Sequence, residues 1–289
     1  MAMVQSTSII EQGKEEPPSN ACTGRLELDA FFERFRSFEF FLYRLRVWSH
    51  PPATGASRWS ESFVKAGQRK EMNKATRIIV ATLGTIFGIS GMSHGFFEIL
   101  QGNAPTGSLF ISAIGEAQKM WPHGNEYAFT LIPNFLITGI AAIVVGLAII
   151  VWSLAFVHKK NGSTVFFLLF VLLLLVGGGI AQILFFPWIW LVSTRINKPL
   201  VWWRKILPVK IQKPLGNLWL WSLVISSVLL VFVLEIAITG FVPAVKDPEV
   251  VLSIMLSCLG MELVVLPLTF VSGFAHDIVM RPNAVFDEK

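Results

Sequence analysis

Charged residues are scarce in this 289-residue chain, because Asp, Glu, Lys and Arg make up only 15% of it while 53% is hydrophobic. A single soluble core does not usually bury that much apolar side chain. The mean hydropathy of +0.61 indicates the same class. The composition therefore predicts a multi-pass membrane protein.

Cysteine is nearly absent, with two residues in the whole sequence. Cys22 lies in a polar stretch and Cys258 within an apolar run, so they form neither a disulfide framework nor a metal-ligand pair. The opening residues, "MAMVQSTSIIEQGKEEPPSN", also lack the uninterrupted apolar stretch of a cleavable signal peptide. We therefore expect the first spanning helix to serve as the insertion signal.

Sequence motifs of catalysis are missing as well. The chain has no GxxxxGK[ST] phosphate loop, no GxSxG elbow and no HExxH zinc motif. Retinal would need a lysine inside the last apolar segment, and haem held between helices would need paired histidines where only His94 qualifies. The sequence identifies no cofactor and no catalytic residue, and it leaves open whether the protein is an enzyme.

The N-terminal region divides into three parts. Residues 1–25 have the composition of a disordered tail, and residues 51–76 form a basic cytoplasmic linker. Between them, residues 26–50 carry apolar side chains at three- and four-residue steps, namely Leu28, Phe31, Phe35, Phe38, Leu42 and Leu45. This spacing predicts an amphipathic helix at the membrane interface, and packing on another protein is the alternative.

Long apolar segments fill the rest of the chain to residue 274. Each exceeds the roughly 20 residues that a helix needs to cross about 30 Å of hydrocarbon. The segments are 77–101, 128–157, 164–193, 217–243 and 249–274. We expect an all-α polytopic transmembrane bundle of four full spans plus one glycine-broken segment.

The distribution of positive charge predicts the orientation of the bundle. Basic residues gather beside the apolar segments, as expected for contact with anionic lipids, and form no separate domain that would indicate nucleic-acid binding. The cluster before the first span places the N-terminus in the cytoplasm of a cell-membrane protein. The C-terminal tail, residues 275–289, is then cytoplasmic too.

The third segment conflicts with a simple crossing, because basic residues follow both the second and the third segment. Within segment 164–193, Gly177, Gly178 and Gly179 separate two short apolar halves, and Pro187 follows. A re-entrant hairpin, which enters the membrane and returns, would put every basic cluster on the cytoplasmic side. The alternative is one long, tilted or kinked helix whose glycines aid packing.

A polar stripe interrupts the first apolar segment near its end. Ser90, His94 and Glu98 are spaced by four residues, so they share one helix face. Helix rise places Glu235 of the fourth segment at a similar depth near the outer face. Ionisable groups inside a membrane are costly, so these four residues are the predicted binding site for a small polar solute or ion.

The loop after the first segment is predicted to cover this site. A helix beginning at Thr106 would present Leu109, Phe110 and Ile114 on its apolar face. Glu116, His123 and Glu126 follow and form the expected polar part of this lid. His and Glu are also zinc and iron ligands, but the spacing matches no named site, and no metal site is predicted.

Three functional hypotheses remain open. The first is binding or translocation of a small polar solute or ion at the outward-facing site, with the glycine-broken segment as a lining or moving element. The second is a non-catalytic structural or assembly subunit that contacts membrane-protein partners. The third is a membrane-embedded metal-dependent hydrolase.

Overall fold

The structure is a computed structural model that describes residues 72–281. The predicted tail 1–25, the interfacial helix 26–50 and most of the linker 51–76 lie outside the described residues, as do residues 282–289. The last helix continues past residue 274, the end of the fifth apolar segment, to Val279.

Helices dominate residues 72–281. They are α1 (Lys74–Leu100), α2 (Phe135–Ala155), α3 (Gly162–Leu175), α4 (Phe186–Ser193), α5 (Val201–Ile206), α6 (Val209–Asn217), α7 (Trp219–Thr239) and α8 (Pro248–Val279). The strands β1 (Phe110–Ser112) and β2 (Tyr127–Phe129) pair antiparallel. Four of these helices, α1, α2, α7 and α8, are long and apolar enough to cross a membrane, as expected for a multi-pass protein.

Glycines allow α1 and α2 to pack closely along their length. A β-carbon at Gly95 would lie 2.5 Å from the carbonyl oxygen of Gly139, and one at Gly88 would lie 2.8 Å from that of Gly146. Contacts this short tolerate only hydrogen on the α-carbon. The close approach fixes the face that α1 turns toward α2, as small residues at a helix contact allow.

The helix bundle has two ends with different partners. The basal end is the end at which α1 begins, and the loop end is the end at which α1 finishes and residues 101–134 connect it to α2. At the basal end, α8 finishes against the start of α1, where Asp277 accepts hydrogen bonds from the backbone N–H groups of Ala75 and Thr76. The short helices α5 and α6 also pack against α8.

The third apolar segment consists of α3, a break at residues 176–180, a 3₁₀ helix (Ala181–Leu184) and α4. The residues that flank the two ends of this segment make hydrogen bonds near each other at the basal end. Asn197, after α4, donates to the carbonyl of His158, before α3, at 2.7 Å, and Asn73 donates to the carbonyl of Arg195 at 2.6 Å. Inside the segment, the rings of Phe170 and Phe186 stack with centroids 5.4 Å apart.

The loop end contains the only strands in residues 72–281, and it differs from the expected helix at Thr106. Gly107 adopts φ +71°, a left-handed conformation that does not continue a helix. From Phe110 to Ser112, burial alternates so that Ile111 faces inward, which is the two-residue period of a strand. Pairing with Tyr127–Phe129 satisfies the backbone groups that a helix would have paired internally.

Candidate functional site

Three of the predicted site residues lie on the inward face of α1. Ser90, His94 and Glu98 are all buried, and the Glu98 side chain is 0% exposed. Their four-residue spacing places them one above the next along the helix. The stripe therefore faces the protein interior near the loop end of α1.

The glycine break of the third segment lies directly against this stripe. A β-carbon at Gly177 would be 2.3 Å from Oε1 of Glu98, and one at Gly179 would be 2.5 Å from Nε2 of His94. Both glycines have left-handed backbone angles, φ +97° and +91°. Only glycine combines this conformation with so close an approach. The break thus forms one wall of the site.

Hydrogen bonds to β2 hold the break in place. The N–H of Gly177 donates to the carbonyl of Phe129, and the N–H of Ile180 donates to that of Tyr127, both at 3.0 Å. Thr138 of α2 donates to the carbonyl of Val176 at 2.8 Å. The break therefore extends the β1–β2 ribbon, and the loop and the third segment form one continuous cover at the loop end.

Glu126, one of the expected lid residues, closes the site over His94. Its Oε2 lies 2.6 Å from His94 Nε2, with the two side chains 16% and 7% exposed. Burial acts to raise the pKa of Glu126, but attraction to His94 and their hydrogen bond together lower its pKa below the ordinary value. The contact therefore favours an ionised Glu126 paired with His94.

The remaining lid residues fasten the loop elsewhere. His123 Nε2 lies 2.9 Å from Oε1 of Glu249 at the start of α8, and exposed Glu116 pairs with Lys119. Trp121 donates to the carbonyl of Ala237 at 3.1 Å. Trp121 is not among the residues predicted from the sequence, although a tryptophan directly before Pro122 and His123 in the loop was the available signal.

Glu98 is the most unusual group in the site. Among residues 72–281, neither of its carboxylate oxygens has a hydrogen-bond partner, and Nδ1 of His94 is likewise buried without one. Burying an ionised carboxylate without a partner is strongly unfavourable. Glu98 must therefore carry a proton or pair with a positively charged or hydrogen-bond-donating ligand.

Glu235 lies at the same end of the bundle in α7. It precedes by two residues Ala237, the residue whose carbonyl accepts from Trp121. His94 and Glu98 make their contacts with Glu126 and the glycine break instead. That Glu235 completes the same site stays a prediction.

A metal centre has little support in this geometry. Within residues 72–281, no group of three or more His, Cys, Asp and Glu side chains is placed to hold a metal ion. The near neighbours of His94 are a carboxylate that already pairs with it and glycine backbone.

Comparisons with protein-family models, with curated proteins and with solved structures find no match for this chain.

Proposed function

We propose that this multi-pass membrane protein binds, and translocates, a small cation or cationic solute at the loop-end site. Glu98 is the principal binding residue, and His94, Glu126 and the wall formed by Gly177 and Gly179 surround it. Ser90 and Glu235 belong to the proposed site as further polar groups. The proposal narrows the expected solute to a positively charged one.

The proposal rests on the buried Glu98 carboxylate, whose two oxygens have no hydrogen-bond partner in the part of the chain that the structure describes. A bound cation would satisfy both oxygens at once and would offset the cost of removing the carboxylate from water. His94 already contacts Glu126, so Glu126 is largely balanced within the protein. The unbalanced group is Glu98, and its charge determines the ligand class.

Access to Glu98 is proposed to require movement of the cover. The β1–β2 ribbon, the glycine break and the His94–Glu126 pair together separate Glu98 from the loop end. Release of the pair would let the ribbon and the break move together, because backbone hydrogen bonds join them. Non-helical backbone at membrane depth is tolerated where it lines a protein-enclosed site, as this break does.

The proposed orientation puts the loop end outside and the basal end in the cytoplasm of a cell-membrane protein. Segment 164–193 is then a re-entrant hairpin, supported by the shared basal contacts of its two ends. The exposed Trp202 and Lys205 of α5 lie at that end, where they suit contact with anionic lipid headgroups.

Binding is tested on purified protein by the shift in thermal unfolding midpoint caused by Na⁺, K⁺ or methylammonium. At least one of these probes should stabilise the wild type, because ligand binding to the folded state raises its stability. Glu98→Gln should abolish that shift. Lys246→Gln, which alters one exposed loop charge at the same end, should retain it.

Translocation is tested by uptake of the stabilising cation into proteoliposomes. The wild type and Lys246→Gln should support uptake, and Glu98→Gln should not. If Glu98→Gln folds normally and keeps both the shift and the uptake, the proposal is wrong. If no probe cation shifts the wild type at all, the structural-subunit hypothesis replaces it.

A further inference from the structure

A second buried carboxylate lies away from the loop-end site, between α7 and α8. Glu262 is 0% exposed, and Ser226 of α7 donates to its Oε1 at 2.5 Å. Its other oxygen, Oε2, is buried and has no hydrogen-bond partner among the described residues. Adjacent residues of α8 are strongly exposed, as Leu263 (53%) and Val264 (71%) show. Glu262 is therefore turned selectively into the α7–α8 contact.

Next to Glu262 in sequence, the backbone of α8 has a carbonyl that lacks its usual helical donor. Pro267 lies within α8 and has no N–H to donate to the carbonyl of Leu263, the residue after Glu262. Carboxylate, hydroxyl and carbonyl oxygens are the ligands that hard cations prefer. A carboxylate, the Ser226 hydroxyl and this released carbonyl thus occur on adjoining turns.

Further buried hydroxyls lie between this place and the basal end. Ser222 lies one helical turn before Ser226 on α7, and its Oγ is 2.9 Å from Oγ of Ser272 on α8. Both serines are buried. Trp219, one turn further toward the basal end, contacts the ring of His276. Buried hydroxyl groups of α7 and α8 therefore lie on the basal side of Ser226, away from the loop-end site.

The ionisable groups that could face Glu262 belong to α7, to α8 itself and to the helices packed against α8. On α8, Cys258 lies one turn away on the same face. The other ionisable residues of α7 and α8, which are Glu235, Glu249, His276 and Asp277, lie more than two turns from Ser226 or Glu262 along their own helices. The contacts that α1 and α6 make with α8 include Ile79 against Gly273 and Gly216 against His276, nearer the basal end.

We infer that Glu262 and Ser226 form a second site, which binds a monovalent cation, H⁺ or Na⁺, from the basal end. In the protonated form, the carboxyl group is neutral, which removes the cost of burying an ionised carboxylate. In the sodium form, the ion is held by the carboxylate, the serine hydroxyl and the released carbonyl. The inference concerns a site separate from Glu98, so either can fail without the other.

Dicyclohexylcarbodiimide tests the site, because it adds to protonated carboxylic acids in apolar surroundings. The labelled residue is identified by mass spectrometry of wild-type proteoliposomes, and the pH on each side of the membrane is set separately. Glu262 should be labelled at low basal-side pH, with labelling falling at least tenfold as that pH is raised. Changing the pH on the loop side alone should have no effect.

Sodium separates the two forms of the site. Protection of Glu262 by Na⁺ at constant basal-side pH identifies a sodium site, and protection by raised pH alone identifies a proton site. Ser226→Ala should weaken the protection while leaving the protein folded. Absence of labelling at Glu262, or labelling that ignores basal-side pH and Na⁺, would show a purely structural carboxyl group and overturn the inference.

Discussion

Gly177 lies so close to Glu98 that a β-carbon on the glycine would be 2.3 Å from the Oε1 atom of the carboxylate. The two residues belong to apolar segments far apart in sequence. Their contact joins the two unusual features of the chain, a polar stripe in the first segment and a glycine break in the third. The break is therefore part of the candidate site. Position 177 requires glycine, since any larger residue would displace Glu98.

Gly177→Ala should destabilise the protein by at least about 2 kcal/mol, because it combines left-handed backbone strain with a steric clash against Glu98. Gly102→Ala is the matched control. Gly102 also has a left-handed φ, +76°, but a β-carbon there meets nothing within 4 Å. The control should lose only the backbone part, about 1 kcal/mol. Unfolding in detergent measures both, and equal losses would contradict the close contact.

Lowering the pH should release the cover through Glu126. His94 lowers the pKa of Glu126 in the folded protein. The resulting stabilisation of the folded state is complete above the ordinary pKa of 4.5 and is lost as pH falls through the lower folded pKa. The wild-type unfolding midpoint should fall in this acid range. Glu126→Gln should show a smaller fall, because its amide does not titrate. If the unfolding midpoints of the wild type and Glu126→Gln fall in parallel with pH, the coupling of Glu126 to His94 is contradicted.

Alanine should lower the stability of the protein at a packed glycine of α1 and raise it at an unpacked glycine of α8. Gly95→Ala places a β-carbon 2.5 Å from the Gly139 carbonyl and should cost about 1–3 kcal/mol through overpacking. Gly260→Ala in α8 has open space around its β-carbon and should stabilise the helix by up to about 1 kcal/mol. Thermal unfolding compares them, and a tolerated Gly95→Ala would contradict the backbone contact.

Asp277, a residue of α8, should act as the N-terminal cap of α1. It accepts from the N–H groups of Ala75 and Thr76 at the start of α1 and from the Thr76 hydroxyl at 2.6 Å. Asp277→Ala should cost about 2 kcal/mol or more, since buried donors lose their acceptor. Asp247→Ala, which removes the exposed cap of α8, should cost about 1 kcal/mol or less. Chemical denaturation or unfolding in detergent gives both values.

Cysteine accessibility tests the proposed hairpin. In a chain whose own cysteines are replaced by serine, Lys160→Cys and Lys205→Cys lie before and after the third segment and are both exposed. Both should react with an impermeant thiol reagent only after the cells are permeabilised. Leu109→Cys, at the exposed loop end, should react in intact cells. Reaction of Lys160→Cys and Lys205→Cys from opposite sides would replace the hairpin with a simple crossing.

Much of the architecture was accessible from local pattern. Long apolar runs identify the spanning helices, because a helix that satisfies its own backbone needs nothing more than length and apolarity to enter a membrane. The spacing of Ser90, His94 and Glu98 located a buried face on α1 for the same local reason. The helix expected at Thr106 is wrong, because a strand gains its hydrogen bonds from a distant partner that local spacing does not reveal.

The sequence by itself determined the long apolar helices, the polar stripe and the position of the glycine break, since each depends on neighbours within a few turns. Only the tertiary structure decided that Gly179 touches His94, that Glu126 pairs with His94, and that Asp277 caps α1. These contacts join residues from separate elements, and their partners depend on how the helices pack. Packing is a property of the whole bundle, because each close approach needs complementary small residues or polar groups on both sides.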